Sequence, residues 1–283
     1  MSSTDSLTDN SKGRLIYRQN RWTRLTHWAW AACLFFLLLS GLQIFNAHPK
    51  LYIGNESGFG YDNTILSIGA VQENGAPKGV TKVFGAEFDT TGLFGVSGPE
   101  DNRQFRAFPA AMTIPSYYDL GTARVVHFFF AWLLVGTLFV WALAGFLNGH
   151  IRHDLALSKA DLKSLPQDIK DHARLRFHHT GRYNVLQKFA YGGVLFVLFP
   201  AIIITGLAMS PSVNAMVPFL NDLLGGRQTA RTIHFAAMFL LVGFFVIHML
   251  MFLAAGPINE LRSIITGWYR TDPETAHKET GNV

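Results

Sequence analysis

A single cysteine among 283 residues, Cys33, excludes an intramolecular disulfide, a CxxC metal knuckle and the CxxCH attachment of covalent haem. Metal chemistry in this chain therefore falls to histidine, of which there are eleven. Charge is scarce as well. Charged side chains make up 15% of the chain against 49% hydrophobic ones, and the apolar residues collect in long runs between polar stretches. That distribution belongs to an integral membrane protein. Also missing are a Walker A loop, a GxGxxG fingerprint and a nucleophile elbow, so no soluble enzymatic domain is expected. The net charge of +5 does not imply nucleic acid, because the basic residues sit beside the apolar runs, where they set membrane orientation.

Four runs are long enough to span, about 25–45, 122–147, 186–209 and 229–255. Each reaches the roughly 20 residues a helix needs to cross a hydrocarbon core of about 30 Å. The first is longer than a signal-peptide core and lacks a small-residue cleavage pattern, so it reads as a retained anchor. The expected fold is an all-α membrane protein, a four-transmembrane-helix bundle with a long external loop between helices 1 and 2. Residues 1–24 carry five Lys/Arg against two acids, and residues 148–185 carry seven against four. Both segments are expected in the cytoplasm, which puts both termini and the tail 256–283 on the cytoplasmic side of the membrane. Loop 46–120, with five basic and eight acidic residues, then lies outside. Rich in Gly, Pro and Phe and without long periodicity, it reads as an ordered cap or docking surface with short strands.

Ionisable residues inside spans are costly and need partners. Four histidines fall there: His27 in the first span, His127 in the second, His234 and His248 in the fourth. Fourteen residues of helix leave His234 and His248 within about 40° of each other on one face and roughly 21 Å apart along the axis. That face addresses two depths. His27 shares the inner depth with His248, and His127 the outer depth with His234. A b-type haem takes axial imidazoles from opposite sides of the porphyrin, so facing helices at two depths are expected to hold two haems, His27/His248 and His127/His234. The alternative is four separate interhelical hydrogen bonds, which does not account for the matched depths.

Arginine stands three residues before histidine in Arg24-x-x-His27, Arg124-x-x-His127 and Arg231-x-x-His234. One turn nearer the surface, these arginines suit haem propionates, or simply flank the spans. Gly41 follows His27 by the same fourteen residues that separate Gly192 and Gly206, so bare backbone recurs near both depths. Gly41 and Gly206 suit a flat macrocycle beside the helix; close helix packing is the other use of such residues.

These features resemble the di-haem cytochrome b membrane subunits of respiratory nickel-iron hydrogenases, formate dehydrogenases and thiosulfate reductase-like enzymes, the bacterial b561 type. The resemblance rests on RLTHW at 24–28, the histidine opening span two and the H-x13-H of span four, and extends from about Arg14 to Pro257. It implies two bis-histidine haems and electron transfer between the quinone pool and a periplasmic oxidoreductase of molybdopterin or nickel-iron type. NAHPKLYIG at 46–54 looks like the thiosulfate reductase branch, whereas the long outer loop departs from the hydrogenase pattern. The resemblance also implies a quinone site toward the inner haem. GRYNVLQKFAYG at 181–192 offers Asn184 and Gln187 there, the alternative being an interfacial anchor built on Arg182, Tyr183 and Lys188.

His150, His153, His178 and His179 lie in the inner connection, where solvated basic residues are the default and carboxylate or cysteine companions are lacking. His48 reads as a shaping residue of the loop. Two rivals stand beside the respiratory reading. One is a stand-alone b561-type oxidoreductase, against which the long loop argues; the other is a non-redox anchor or transporter using histidine for proton relay or packing.

Overall fold

The computed structural model describes residues 13–147, 149, 159–173 and 185–271. Strand β1 (Leu15–Tyr17) leads into helix α1 (Arg21–Asn46), followed by strands β2 (Lys50–Tyr52), β3 (Thr64–Glu73), β4 (Ala76–Val83) and β5 (Ala86–Asp89). Helix α2 (Leu120–Leu147), the amphipathic α3 (Lys159–Ala173) and the long helix α4 (Val185–Met209) come next. Short helices α5 (Pro211–Met216) and α6 (Phe219–Leu223) precede α7 (Arg227–Ala254), α8 (Pro257–Thr266) and strand β6 (Trp268–Arg270).

Helices α1, α2, α4 and α7 are the four that are long and apolar enough to cross a membrane, and the chain is a multi-pass membrane protein. Their outer faces carry exposed Phe129, Trp132, Phe139 and Phe146 on α2 and Phe239, Phe245 and Leu250 on α7. Lipid tails are as apolar as these side chains, so such faces need no protein cover. α4 is interrupted by a π turn at Val194–Leu198, just before Pro200. Proline lacks the amide hydrogen and its ring crowds the carbonyl four residues back, and a widened turn relieves both.

The described chain divides into two compact units that each include part of every long helix. The loop-bearing unit comprises Ala29–Phe139 and Leu195–Val242; the terminus-bearing unit holds the remaining described residues.

In the loop-bearing unit, β2-β3-β4-β5 form an antiparallel sheet. β3 and β4 are joined at Asn74-Gly75, both with positive φ, the backbone that a two-residue hairpin of right-twisting strands demands. The strand of ten residues is longer than the sequence reading of short strands anticipated. β3 is partly exposed along its first half and fully exposed along its second, so it shows no clean apolar alternation, and the Asn-Gly pair is its one strong local signal. The sheet is fastened to the helices by an apolar cluster of Leu42, Phe45, Leu51, Ile68, Ala107 and Phe108. Polar ties add to it. Asn46 exchanges hydrogen bonds with Phe108 through both side-chain atoms, and the Gly54 carbonyl accepts the free amides of Gln228 and Thr229 at the start of α7.

In the terminus-bearing unit, β1 pairs antiparallel with β6 and buries Tyr269 under Arg18, whose guanidinium lies 4.6 Å from the ring centre. Asn259 of α8 exchanges two hydrogen bonds with the backbone of Arg270. The tail segment is therefore ordered through residue 271. α3 holds the beginning of α4: Asp168 accepts from the Val185 amide, and Asp161 pairs with Lys188 at 3.4 Å. A carboxylate at a helix N-terminus satisfies an orphan amide and complements the helix dipole.

Candidate functional site

Two histidine pairs lie in the fold, one in each unit. In the loop-bearing unit the rings of His127 and His234 have centroids 6.4 Å apart at 57°. In the terminus-bearing unit His27 and His248 stand 6.5 Å apart at 49°. Two imidazoles each bound about 2 Å from one shared metal atom have centroids about 6.3 Å apart, so both pairs have the spacing of axial ligands. Among the described residues no group of three or more His, Cys, Asp or Glu converges as a metal site. Two imidazoles alone are too few for a bare zinc ion, which takes four ligands, whereas a porphyrin iron asks the protein for two.

The outer pair is framed symmetrically. Ser40 Oγ of α1 lies 3.1 Å from His127 Nδ1, and Thr205 Oγ1 of α4 lies 3.1 Å from His234 Nδ1. Each hydroxyl belongs to a residue followed by glycine. A Cβ added at Gly41 would lie 3.3 Å from Cε1 of His127 and 3.6 Å from Nδ1; one added at Gly206 would meet the same atoms of His234 at the same distances. The bare backbone at both positions thus seats an imidazole, a closer use than the beside-the-macrocycle role read from the sequence. A Cβ at Gly192 would touch nothing within 4 Å.

The inner pair is framed differently. Trp28 meets His27 edge-on at 5.5 Å, and Phe244 stacks on His248 at 5.8 Å and 20°. His27 Nδ1 is buried and has no hydrogen-bond partner among the described residues, as is true of Arg24 Nε. Near this pair in sequence, Asn20, Trp22, Thr23 and Thr26 of the α1 end and Val140, Trp141, Ala144 and Gly145 of α2 line a largely apolar cavity of about 250 Å³.

The three arginines are engaged locally. Arg24 donates from Nη1 to the Ile265 carbonyl, Arg231 from Nη2 to the His48 carbonyl, and Arg124 lies 5.6 Å over the Phe128 ring. A guanidinium has five N–H donors, so these contacts leave capacity for an anion. Gln187 is half-buried on α4 and has contacts of its own. Asn184, His150, His153, His178 and His179 lie outside the described residues.

Residues 159–267 match the family model described as prokaryotic cytochrome b561, a stretch that includes His234 and His248. The chain is also similar to a protein of Azospira oryzae, provisionally named protein-methionine-sulfoxide reductase subunit YedZ1. The two are 25% identical over 235 residues, which cover 81% of this chain and 87% of the relative.

Ser40 and Thr205 were missed in the sequence because one hydroxyl in an apolar helix is unremarkable. A repeat would have exposed them. A-R-x-x-H-F-x-x-x-x-L-L-V-G occurs at 123–136 and again at 230–243, and LLLSGL at 37–42 has its counterpart in IIITGL at 202–207. Helices α1 and α2 are thus echoed by α4 and α7. In the same register His248 falls opposite Trp141, and His27 opposite Gly192. The His127/His234 pair joins equivalent positions of the two copies, whereas His27 and His248 stand at positions the repeat does not relate.

Proposed function

We propose that the chain is a di-haem b-type cytochrome subunit carrying electrons between a redox enzyme docked on its loop-bearing unit and membrane quinone at its terminus-bearing unit. The observation that carries this reading is the occurrence of two separate imidazole pairs, at 6.4 and 6.5 Å, in a membrane protein whose residues 159–267 match the prokaryotic cytochrome b561 model. His127 and His234 would hold one b haem and His27 and His248 the other, and each haem would supply a one-electron iron couple. Arg124 and Arg231 near one pair and Arg24 near the other supply cationic donors for propionates.

Quinone chemistry requires hydrogen-bond donors, a proton route and access from lipid. This reading is supported in the terminus-bearing unit by His27 Nδ1, buried and without a partner among the described residues, and by the largely apolar cavity lined by Asn20 and Thr23; Gln187 and, from the sequence, Asn184 are the candidate polar groups. The loop charge balance supports a cytoplasmic position for this unit and a periplasmic one for the β-sheet loop of a bacterial inner-membrane protein. The exposed aromatic side chains Phe59, Tyr61, Phe84, Phe105 and Tyr117 of that loop suit a docked enzyme. If the name of the Azospira relative carries over, the partner is a reductase, and electrons run outward from quinol.

The test is a reduced-minus-oxidised spectrum and haem assay of the purified protein. Two b haems per chain are expected, and protein without b haem would sink the reading.

A further inference from the structure

The outer histidines are held by a hydroxyl relay whose direction can be worked out. Ser40 Oγ lies 2.6 Å from the Phe36 carbonyl and Thr205 Oγ1 lies 2.7 Å from the Ala201 carbonyl. A carbonyl only accepts, so each hydroxyl spends its single hydrogen there. The 3.1 Å contacts to Nδ1 of His127 and His234 must then run the other way, with the ring donating and the hydroxyl oxygen accepting. A second acceptor agrees with this direction in each copy: His127 is also hydrogen-bonded to the Leu37 backbone, and His234 to that of Ile202. Both rings are therefore Nδ1–H tautomers with Nε2 left bare, the state in which neutral imidazole binds a metal.

We propose that Ser40 and Thr205 are paired positioning residues that fix the tautomer and strengthen the ligand character of His127 and His234. The inference rests on the haem reading of that pair and extends it to residues that contact the two histidines. Gly41 and Gly206 belong to the same device, because only a bare Cα lets the ring sit close enough for its Nδ1 to reach the preceding hydroxyl. His27 lacks such a partner: its buried Nδ1 has no acceptor among the described residues.

An imidazole that donates a hydrogen bond is a stronger electron donor to its metal, which favours the oxidised ion. Removing the hydroxyl should shift the one-electron equilibrium of the outer site toward the reduced state. The Leu37 and Ile202 carbonyls remain as acceptors, so the effect is a shift of about fivefold rather than loss of the site. The repeat makes the two seats equivalent, so S40A and T205A should act to a similar extent and the double variant should add them.

The experiment is a redox titration with low-spin EPR of the purified holoprotein, comparing S40A, T205A, the double variant and the exchanges S40T and T205S. Thr and Ser already occupy equivalent positions in the two copies, so the exchanged residues fit the same local geometry. The proposal expects one of two haem signals to move in the alanine variants, the second to stay, and the exchanges to restore the wild-type values. Loss of that one haem in the alanine variants with retention in S40T and T205S supports it equally. Unchanged signals and potentials in the double variant overturn it, as does loss in the exchanged variants, where the hydroxyl is present. Wild-type protein without b haem would instead overturn the underlying reading, a result visible before any variant is made.

Discussion

The two histidine pairs have nearly the same spacing and different surroundings. His127 and His234 are each held by a hydroxyl and a glycine from a repeated helix segment, whereas His27 and His248 are bounded by Trp28 and Phe244, and the buried Nδ1 of His27 has no partner among the described residues. A ring with its second nitrogen satisfied is oriented before any ligand arrives. A ring with that nitrogen unspent has a donor to offer something else, and a buried donor left unpaired carries a free-energy cost that a bound acceptor would remove. Under the proposed function the outer pair serves as a fixed relay point, and the inner pair stands beside an exchangeable substrate such as quinone.

The largest effect that would break this contrast comes from the ligands. His234→Leu should remove the outer haem and His248→Leu the inner one, each taking haem content from about two to about one per chain by pyridine haemochrome assay. The difference in framing adds a direction: the inner variant should leave the outer signal unchanged, because the Ser40 and Thr205 seats lie apart from His248 in sequence and belong to the other compact unit. Loss of both haems in H248L would show that the outer seat is not self-sufficient.

The spans were legible because a bilayer imposes a length and a composition on any helix that crosses it, and the observed helices begin and end within a few residues of the apolar runs. The depth matching of histidines was legible for a related reason. Fourteen residues bring a straight helix back almost to the same face, and the rings that match in depth are the ones that adjoin in the fold. The sheet was not, since β3 is exposed over its second half and carries no alternating pattern. Ser40 and Thr205 were hidden in apolar helices where hydroxyls usually bond their own backbone, which both also do. Only the duplication distinguishes them. The quinone candidates depended on Asn184, outside the described residues, and on Gln187, which has contacts of its own.

Glycine substitutions sharpen the contrast at a smaller scale. Gly41→Ala and Gly206→Ala place a methyl 3.3 Å from Cε1 of the outer histidines, closer than ordinary van der Waals contact, so the ring or the helix must give. Overpacking of this kind costs about 1–3 kcal/mol, and here the strain falls on a ligand ring. Each variant should lower the thermal stability of the detergent-solubilised protein and perturb the outer EPR signal alone. Gly192→Ala is the control, because its methyl would meet nothing within 4 Å. Equal damage from all three would refute the idea that Gly41 and Gly206 serve the imidazoles.

The attachment of the loop to α1 offers a third test, confined to the loop-bearing unit. Asn46 is buried, and its Oδ1 accepts from the Phe108 amide at 2.8 Å while its Nδ2 donates to the Phe108 carbonyl at 3.0 Å. Asn46→Ala would strand both backbone groups, at a cost of about 1–3 kcal/mol for a buried unsatisfied group. Limited proteolysis should then cut the loop faster while both haem signals persist. Unchanged cleavage would mean that the apolar cluster around Phe45 and Phe108 holds the loop without help.

The smallest effect is one of pH, and it too belongs to the loop-bearing unit. Partial burial of the His48 ring, which stacks on Tyr52 at 5.6 Å, together with the positive charges of Arg231 and Lys50, holds its pKa below the ordinary histidine range. The unfolded chain then binds a proton at His48 more readily than the folded one, so its contribution to stability is present above about pH 6.5 and is lost as pH falls through the lower folded value. The residue is exposed at the surface, which limits the size of the effect. In proteolysis measured between about pH 7 and pH 5, loosening of the loop on acidification should be weaker in His48→Gln than in the wild type. Asp119 gives the opposite sign of charge for comparison. Hydrogen bonds from the Thr122 hydroxyl and amide hold its carboxyl below the usual range, so its contribution at the start of α2 survives to more acid pH than that of His48. Loosening that begins near pH 6 and vanishes in His48→Gln assigns the first step to the histidine; loosening that appears only below about pH 4 in both proteins would assign it to carboxylates such as Asp119 instead.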